Sequence, residues 1–137
     1  MTATATATEL RDRAAALVPL LRERAEETER AARVSDEVFD ALAEAGILQM
    51  CAPARFGGSE ADFQTQCDVL ADLARGCAST SWVSTIFSAM SWLAAVFPEE
   101  GQEEMFAEGD FRMSGAFSPT GTSRWVDGGE PRHGAED

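Results

Sequence analysis

Basic side chains and histidine are scarce in this chain of 137 residues. Its 11 basic residues are all arginine and face 24 Asp and Glu, which gives a formal net charge of −13. A chain this acidic lacks the basic face that would bind nucleic acid or an anionic membrane surface. The one histidine, His133, lies close to the C-terminus. A histidine-centred catalytic triad or a histidine metal site is therefore not expected.

Cysteines and long apolar runs are scarce as well. The three cysteines, Cys51, Cys67 and Cys77, show no Cys-x-x-Cys spacing and indicate neither a disulfide framework nor a zinc site. The N-terminus lacks the basic start and apolar stretch of a secretory signal. The most apolar segment, residues 82–97, is too short to span a bilayer. The composition therefore predicts a cytoplasmic protein without a membrane partner.

The remaining composition is globular, with 45% hydrophobic and 26% charged residues, and the apolar positions follow helical spacing. Residues 1–8 alternate Thr and Ala and are predicted to be a disordered lead-in. Over residues 9–32, apolar side chains three and four positions apart predict one stripe of a first helix. Pro19 should kink that helix or begin its second half.

Capping residues indicate two further helices. Ser35 and Asp62 are side chains that accept hydrogen bonds at helix N-termini, while Gly46 and Gly76 are typical helix C-terminal stops. The apolar side chains of the helix after Asp62 define its expected buried face: Phe63, Cys67, Leu70 and Ala74.

A fourth helix is predicted over about residues 79–97. Because it is apolar nearly all round, we expect it to be central in a bundle. Its large side chains could pack in the core or line a pocket for a flat ligand, and their helical spacing favours packing: Trp82, Phe87, Met90 and Trp92. Pro98 ends this helix and suits the first turn of a short acidic helix that reaches residue 107.

The periodicity changes after Gly109. Residues 111–117 alternate apolar and polar side chains, and residues 123–126 predict another short strand before a hairpin turn. The tail that follows makes a poor return strand, because it contains Pro131 and neither β-branched nor aromatic residues.

The fold class predicted from these patterns is mainly α. A helical domain covers residues 9–109, and the first one or two strands of a truncated β-domain cover residues 110–129. Residues 130–137 form a separate tail.

Hydroxyl groups cluster where the strand pattern begins. If the apolar neighbours face the core, strand alternation directs Ser114 and Ser118 to the other face. The turn that follows presents the hydroxyls of Thr120 and Thr122. Such donors suit a heterocycle with carbonyl and ring-nitrogen acceptors. Serine and threonine near a turn are also ordinary turn chemistry, so this interpretation stays open.

Several segments, taken in order, resemble the acyl-CoA dehydrogenase fold. They are AGILQMCAPARFGG at residues 45–58, STSW at 79–82, WLAAVFPEE at 92–100, SGAFSPTGT at 114–122 and VDGG at 126–129. Each motif is modest alone, whereas the ordered set is fairly specific. The resemblance covers roughly residues 10–129. It implies the N-terminal helical bundle of that fold, followed by the entry to its middle β-domain.

Within that fold the chain is most similar to the oxygenase components of two-component flavin-dependent aromatic monooxygenases. Dehydrogenases proper carry Thr-Glu-Pro and Gly-Ser-Asp elements where this chain has FSPTGT at residues 117–122. The STSW run is also more typical of the hydroxylase branch. This resemblance implies FMN or FAD, delivered in reduced form by a separate flavin reductase. It also implies reaction with O₂, hydroxylation of a small phenolic substrate, and a homotetramer.

The resemblance also implies site residues. The flavin would contact Ser114, Ser118, Thr120 and Thr122, and Trp92 would lie on the substrate side. No catalytic residue is assigned and no metal is implied. Some hydroxylases carry a histidine two residues before the matching tryptophan, where this chain has Met90.

Members of this family continue beyond the position of Gly129 with further strands and a C-terminal helical bundle, which hold much of the flavin site. We therefore expect an N-terminal portion of such an oxygenase, cut short or shifted out of frame, that is inactive and binds no flavin tightly on its own. Two alternatives stay open. One is an acyl-CoA dehydrogenase-type flavoprotein that oxidises a Cα–Cβ bond, and the other is a non-catalytic helical module.

Overall fold

The structure is a computed structural model that describes residues 5–107, 109, 111–113 and 115. Over these residues the chain forms five α-helices and one short 3₁₀ turn at Ala54–Phe56. The helices are α1 (Ala7–Ala31), α2 (Asp36–Glu44), α3 (Phe63–Ala74), α4 (Ala78–Ala94) and α5 (Glu99–Phe106). The mainly helical fold class is thereby confirmed for the described part of the chain.

The first helix begins two residues earlier than its apolar stripe predicts. Thr6 accepts a hydrogen bond from the backbone N–H of Glu9, and the Glu9 carboxylate accepts one from the backbone N–H of Thr6. This reciprocal cap satisfies two of the free N–H groups of the first turn and lowers the pKa of Glu9. Pro19 lies inside α1 without ending it, so the helix has no separate second half.

The predicted caps of α2 and α3 are confirmed. The hydroxyl of Ser35 accepts from the N–H of Val38, and Asp62 Oδ1 accepts from the N–H of Thr65 at 2.7 Å. Gly46 follows α2 with a φ of +76°, a left-handed conformation that side chains with a Cβ rarely adopt. These local signals therefore place both helix starts and the end of α2.

The hydrophobic core lies where α1, α3 and α4 pack together, with α2 against α1. Its largest fully buried apolar side chains come from α1, α2, α3 and the segment after α2: Leu10, Leu21, Val38, Leu42, Ile47, Met50, Val69 and Leu73. A smaller cluster of Ala52, Ala94 and Phe106 joins the end of α4 to α5. The bundle thus presents α4 along one side of its main core.

The buried face of α3 differs from the predicted one. Its buried side chains are Thr65, Val69 and Leu73. The four expected members are instead exposed or only half-buried: Phe63, Cys67, Leu70 and Ala74. Both sets have helical spacing, and the packing against α1 and α4 selects the stripe that contains a threonine. The prediction for this face, including a buried Cys67, was wrong.

The fourth helix is central on one side only. Towards the bundle it buries mostly small hydroxyl side chains, together with Met90 and Ala94: Thr80, Ser81, Ser84, Ser88 and Ser91. On the opposite side it exposes Trp82 and Leu93. Small side chains let neighbouring helices approach closely, so α4 packs through its polar side and leaves large apolar groups outside.

The chain after α5 has no regular secondary structure at residues 111–113 and 115, the positions described there. The rest of the two predicted strands lies outside the described residues. None of the helices in the described ranges combines the length and apolarity needed to cross a bilayer. The same residues contain no group of three or more metal-binding side chains.

Candidate functional site

The outer face of α4 and the turn after it form a continuous apolar strip, which we call the α4 ridge. It consists of Trp82, Ile86, Ala89, Leu93 and Val96. Trp82 is 66% exposed and Val96 is 60% exposed. A cavity lies on each flank of this ridge, and each cavity holds a residue singled out by the sequence.

The first cavity, the Trp92 cavity, has a volume of about 730 Å³. It lies between the C-terminal half of α4, the start of α3 and the loop before α3. Its lining includes Cys51, Ala61, Phe63, Gln66, Trp92 and Val96. The wall is largely apolar and opens to solvent, with Trp92 itself 56% exposed.

Two glycines shape the loop that forms one wall of the Trp92 cavity. Gly57 ends the 3₁₀ turn with a φ of +90°. A Cβ on Gly58 would lie 2.0 Å from the backbone oxygen of Ala52, so only glycine fits there. The chain then returns alongside itself, with the N–H of Ala61 donating to the backbone oxygen of Met50 at 2.7 Å. The Gly-Gly pair is thus a tight turn.

The polar groups around the Trp92 cavity already serve the fold. Glu60 Oε1 accepts from the N–H of Ala54 at 2.9 Å, and the Gln66 amide donates to the backbone oxygen of Ala61 at 2.8 Å. The N-terminal cap formed by Asp62 lowers the pKa of that carboxyl, chiefly through the backbone N–H of Thr65. All three described side chains are therefore engaged by nearby backbone groups.

Cys51 is the buried nucleophilic group of this cavity. Burial raises the pKa of the Cys51 thiol to about 11, against a small opposing effect of the Ser88 hydroxyl. A thiol in this state is almost wholly protonated near neutral pH and reacts slowly. Cys51 therefore behaves as a small apolar wall residue.

The second cavity, the Met90 cavity, lies on the other flank and has a volume of about 700 Å³. Its lining combines apolar side chains and thioethers with the charged side chains of Glu104 and Arg112. The apolar and thioether members are Met90, Leu93, Phe97, Met105 and Met113. Gly115 also contributes to the wall. A Cβ on Gly115 would lie only 2.4 Å from the sulfur of Met90, so the chain passes directly over this thioether.

A polar and aromatic joint fixes the path of the chain towards the Met90 cavity. Arg55 pairs with Glu99 and donates to Oε1 of Gln102 at 2.9 Å. The amide nitrogen of Gln102 donates to the backbone oxygens of Ala95 and Phe97, which lie just beyond the end of α4. One hydrogen-bond network therefore connects the loop that carries Arg55, the C-terminal end of α4, and α5.

Stacked aromatic rings continue this joint. The rings of Phe56 and Phe106 stack with centroids 4.9 Å apart, and those of Phe106 and Phe111 lie 5.9 Å apart. The Arg55 guanidinium also lies 4.6 Å from the centroid of the Phe56 ring. These contacts guide residues 111–113 along α5 to the Met90 cavity.

The structure separates the predicted substrate residue from the neighbours of the predicted cofactor residues. Trp92 lines one cavity, whereas Met113 and Gly115, on either side of Ser114, line the other. Ser114 and the other predicted cofactor residues lie outside the described residues: Ser118, Thr120 and Thr122. Met90 and Trp92 are two positions apart on α4, so their side chains lie about 200° apart around the helix axis. Because Gly115 passes over Met90, this spacing also places Trp92 away from Gly115.

Two features of the site were missed from the sequence. The hydroxyls of Ser88 and Ser91 are buried on the inner side of α4. Ser88 lies beside the Cys51 thiol, whereas Ser91 has no hydrogen-bond partner among the described residues. The joint through Arg55 and Gln102 links residues 47 positions apart, and no local pattern signals such a contact.

The sequence of the helical bundle matches a known family. A model of that family, the acyl-CoA dehydrogenase N-terminal domain, matches residues 4–108. The chain belongs to this family. The resemblance drawn from the motifs is thereby confirmed at the level of the family.

Solved structures show the same fold. The 3-HSA hydroxylase from Rhodococcus sp. RHA1 superposes with a TM-score of 0.80 at 36% identity, over 89% of this chain and 32% of that chain. The HsaA monooxygenase from M. tuberculosis superposes with a TM-score of 0.83 at 33% identity, over 92% of this chain and 35% of that chain.

Curated relatives point in the same direction. The chain is 38% identical over 121 residues to the flavin-dependent monooxygenase, oxygenase subunit HsaA, of Rhodococcus jostii (strain RHA1). That alignment covers 88% of this chain and 32% of the relative. The FADH(2)-dependent resorcinol hydroxylase, oxygenase component, of Rhizobium sp. (strain MTP-10005) is 36% identical, over 85% of this chain and 29% of that relative. The chain thus spans about a third of the length of these relatives.

Proposed function

We propose that this chain is the N-terminal helical part of the oxygenase component of a two-component flavin-dependent monooxygenase. The whole enzyme hydroxylates a small phenolic substrate with reduced flavin and O₂. The observation that carries this proposal is the similarity, at 36–38% identity over most of the chain, to relatives named as oxygenase components of this kind.

The described residues fit one wall of a flavin site. Part of the Met90 cavity offers apolar side chains and thioethers, which suit the flat face of an isoalloxazine ring, while Glu104 and Arg112 line the rest. The donors that the ring's carbonyl and nitrogen atoms need belong, in this proposal, to Ser114, Ser118, Thr120 and Thr122. FMN and FAD share this ring, so either satisfies these contacts. When bound, reduced flavin supplies the electrons for oxygen activation.

In this proposal, the side chains around α4 line the places of the reacting groups in the whole enzyme. Met90 and Leu93 shield the cavity beside Gly115, and Trp92 offers an aromatic surface for a phenolic substrate on the other flank. Because Trp92 and Gly115 lie on opposite flanks of α4, Trp92 serves the approach of the substrate rather than direct contact with the ring.

The remaining parts of this proposal concern the whole enzyme. A separate reductase supplies the flavin, the assembly is a homotetramer, and the enzyme works in the cytoplasm. The helical domain spans residues 9–109, the middle β-domain starts over residues 110–129, and residues 130–137 are a separate tail. Both described cavities open to solvent, so this chain alone binds neither FMN nor FAD tightly and has no hydroxylase activity.

A chimeric enzyme tests the function. Residues 5–113 of this chain replace the equivalent segment of the HsaA monooxygenase from M. tuberculosis, and the product is supplied with reduced flavin, O₂ and a panel of phenols. We expect a hydroxylated phenol. A matched control carries the corresponding segment of an acyl-CoA dehydrogenase.

The same chimera separates the alternatives. A folded chimera that binds reduced flavin but oxidises only acyl-CoA with an electron acceptor would favour the dehydrogenase, which the description of the family model also supports. A folded chimera without flavin-dependent activity, judged by circular dichroism and flavin fluorescence, would favour the non-catalytic module. Either result overturns the proposed function.

A further inference from the structure

The short helix α5 is attached to the core by one side chain. This helix, which the structure describes in full, buries only Phe106, at 3% exposure. An isolated helix of 8 residues is marginal in water, so α5 depends on its contacts with the rest of the bundle. Because a single buried side chain leaves a helix free to turn about that contact, polar contacts set the orientation of α5.

Gln102 supplies such contacts to the end of α4. Its amide nitrogen donates to the backbone oxygens of Ala95 at 2.9 Å and of Phe97 at 2.7 Å. The last carbonyl groups of a helix lack partners within the helix, and here a side chain of α5 provides them. The amide oxygen of the same Gln102 accepts a hydrogen bond from Arg55 at 2.9 Å.

Arg55 holds two side chains of α5 at once. Its Nη1 pairs with Glu99 and its Nη2 donates to Gln102, one helical turn further along. The ion pair with Glu99 is exposed and contributes little by itself. The planar guanidinium, however, directs its two donors to fixed positions. Arg55 therefore fixes the rotation of α5 about its own axis.

The loop that carries Arg55 is held by its own backbone. The N–H of Gly58 donates to the backbone oxygen of Pro53, and that of Glu60 donates to the backbone oxygen of Ala52, both at 3.1 Å. These bonds do not use the Arg55 side chain. Loss of the joint should therefore release α5 while the loop stays in place as a wall of the Trp92 cavity.

Aromatic contacts connect the orientation of α5 to the Met90 cavity. The ring of Phe106 lies 5.9 Å from that of Phe111, which precedes the wall residues Met113 and Gly115. Gly115 lies so close to the sulfur of Met90 that a Cβ would collide with it. The position of this segment over the thioether therefore depends on the position of α5.

We propose that Arg55 and Gln102 are positioning residues for the flavin. They orient α5 and, through Phe106 and Phe111, place the segment that carries Ser114. This assignment rests on the proposed function, in which Ser114 contacts the flavin. Neither Arg55 nor Gln102 lines the Met90 cavity, so both act through these neighbours. Loss of the joint should weaken the binding of reduced flavin and leave the binding of the phenol nearly unchanged.

The full 137-residue chain provides a test that needs no flavin. Arg55→Leu and Gln102→Leu each remove polar contacts of the joint. We expect each to speed the oxidation of Met90 by dilute hydrogen peroxide about tenfold, because the segment with Gly115 no longer shields the sulfur. Peptide mass spectrometry measures the sulfoxide, and Met50, at 0% exposure, should stay protected in every variant. Unchanged oxidation of Met90 overturns the proposal.

Arg30→Leu is the matched control for this test. It removes an ion pair to Glu26 on the exposed side of α1 and should leave the oxidation of Met90 unchanged. All variants are compared at equal helix content by circular dichroism. If Gln102→Leu loses helix content, Gln102→Glu replaces it, because a carboxylate repels the two backbone oxygens at the end of α4. Equal acceleration in Arg30→Leu overturns the proposal.

The chimeric enzyme tests the effect on the flavin, since its residues 5–113 contain the whole joint. Arg55→Leu and Gln102→Leu should each raise the Kd of reduced flavin about tenfold, while the KM of the phenol at saturating flavin changes less than about twofold. The double variant should lose no more flavin affinity than either single variant, because both residues belong to one network. General destabilisation would weaken both ligands alike.

The outcomes separate this assignment from the proposed function. An active unsubstituted chimera whose variants bind reduced flavin normally, or lose flavin and phenol equally, overturns the assignment alone. Additive losses in the double variant also overturn it. An unsubstituted chimera that hydroxylates no phenol overturns the proposed function, and the assignment with it.

Discussion

The two long helices of this bundle, α1 and α4, distribute their side chains in opposite ways. The first buries large apolar groups such as Leu10 and Leu21 and turns charged residues to solvent. The fourth buries Ser84, Ser88 and Ser91 and turns Trp82 and Leu93 outward. Large apolar groups left outside at this density mark a surface built for contact with something else. The contrast distinguishes the buried residues that stabilise the bundle from the exposed residues of α4 that border the two cavities.

A leucine-to-alanine pair gives the largest expected difference between the two helices. Leu21→Ala removes a side chain that is 1% exposed and should lower the free energy of unfolding by about 2–5 kcal/mol. Leu93→Ala, at a position that is 39% exposed, should lower it by less than about 1 kcal/mol. Urea unfolding followed by circular dichroism measures both. Equal losses would mean that α4 contributes its outer face to the core.

Thiol alkylation compares the exposed cysteine on the outer side of α3 with the two buried cysteines near α4. Cys67 is exposed, whereas Cys51 and Cys77 are buried and burial raises the pKa of Cys51 to about 11. At pH 8 we expect one fast thiol per chain, reacting about a hundredfold faster than the others. A Cys67→Ser variant should lose this fast phase, as measured by mass spectrometry with iodoacetamide. A fast phase that survives in this variant would contradict the burial of the other two thiols.

Two serines test the polar side of α4. Ser91 is fully buried without a partner among the described residues, so Ser91→Ala should raise the free energy of unfolding by about 1 kcal/mol. The hydroxyl of Ser81 donates to the backbone oxygen of Leu70 at 2.7 Å, so Ser81→Ala should lower it by about the same amount. Both effects are read from urea unfolding. A loss on Ser91→Ala would reveal a partner for that hydroxyl.

The smallest expected effect lies at the cap of α3 and appears only in acid. Because the pKa of Asp62 is lowered on folding, its stabilising effect is complete above the usual aspartate value of about 4 and disappears as the pH falls through the lowered value. Asp62→Asn keeps an acceptor for the Thr65 N–H but cannot titrate. The free energy of unfolding of this variant should therefore depend less on pH below 4. An identical pH dependence would show that Asp62 is not ionised at the cap.

Local signals in the sequence predict the helix boundaries well. Ser35 and Asp62 cap helices because a side-chain oxygen satisfies an N–H only three residues away, and Gly46 ends one because of its own backbone conformation. Each of these depends on neighbours in the chain alone. The positions of the caps could therefore be predicted before any packing was known.

The choice of buried faces could not be predicted in the same way. On α3, a stripe with Phe63 and Cys67 competes with one that contains Thr65 and Val69, and both have helical spacing. Hydrophobicity favours the first stripe, while packing against α1 and α4 selects the second. The sequence pattern shows which side chains are apolar, but it does not show which of them pack against the other helices of this bundle.

The candidate site was predicted in part. Trp92 lies in a cavity, and the path of the chain brings Met113 and Gly115 to the neighbouring one. The joint through Arg55 and Gln102 depends on segments that meet only in the folded chain, so no motif could indicate it. The roles of Ser114, Ser118, Thr120 and Thr122 stay predictions.

The side chain of Gln102 donates and accepts hydrogen bonds at the same time. Its amide nitrogen donates to two backbone oxygens beyond α4, while its amide oxygen accepts a hydrogen bond from the Arg55 guanidinium. A carboxylate there would satisfy the arginine and repel the oxygens, and an ammonium would do the reverse. A carboxamide meets both demands without carrying charge, so Gln102 can link the Arg55 side chain to the backbone beyond α4.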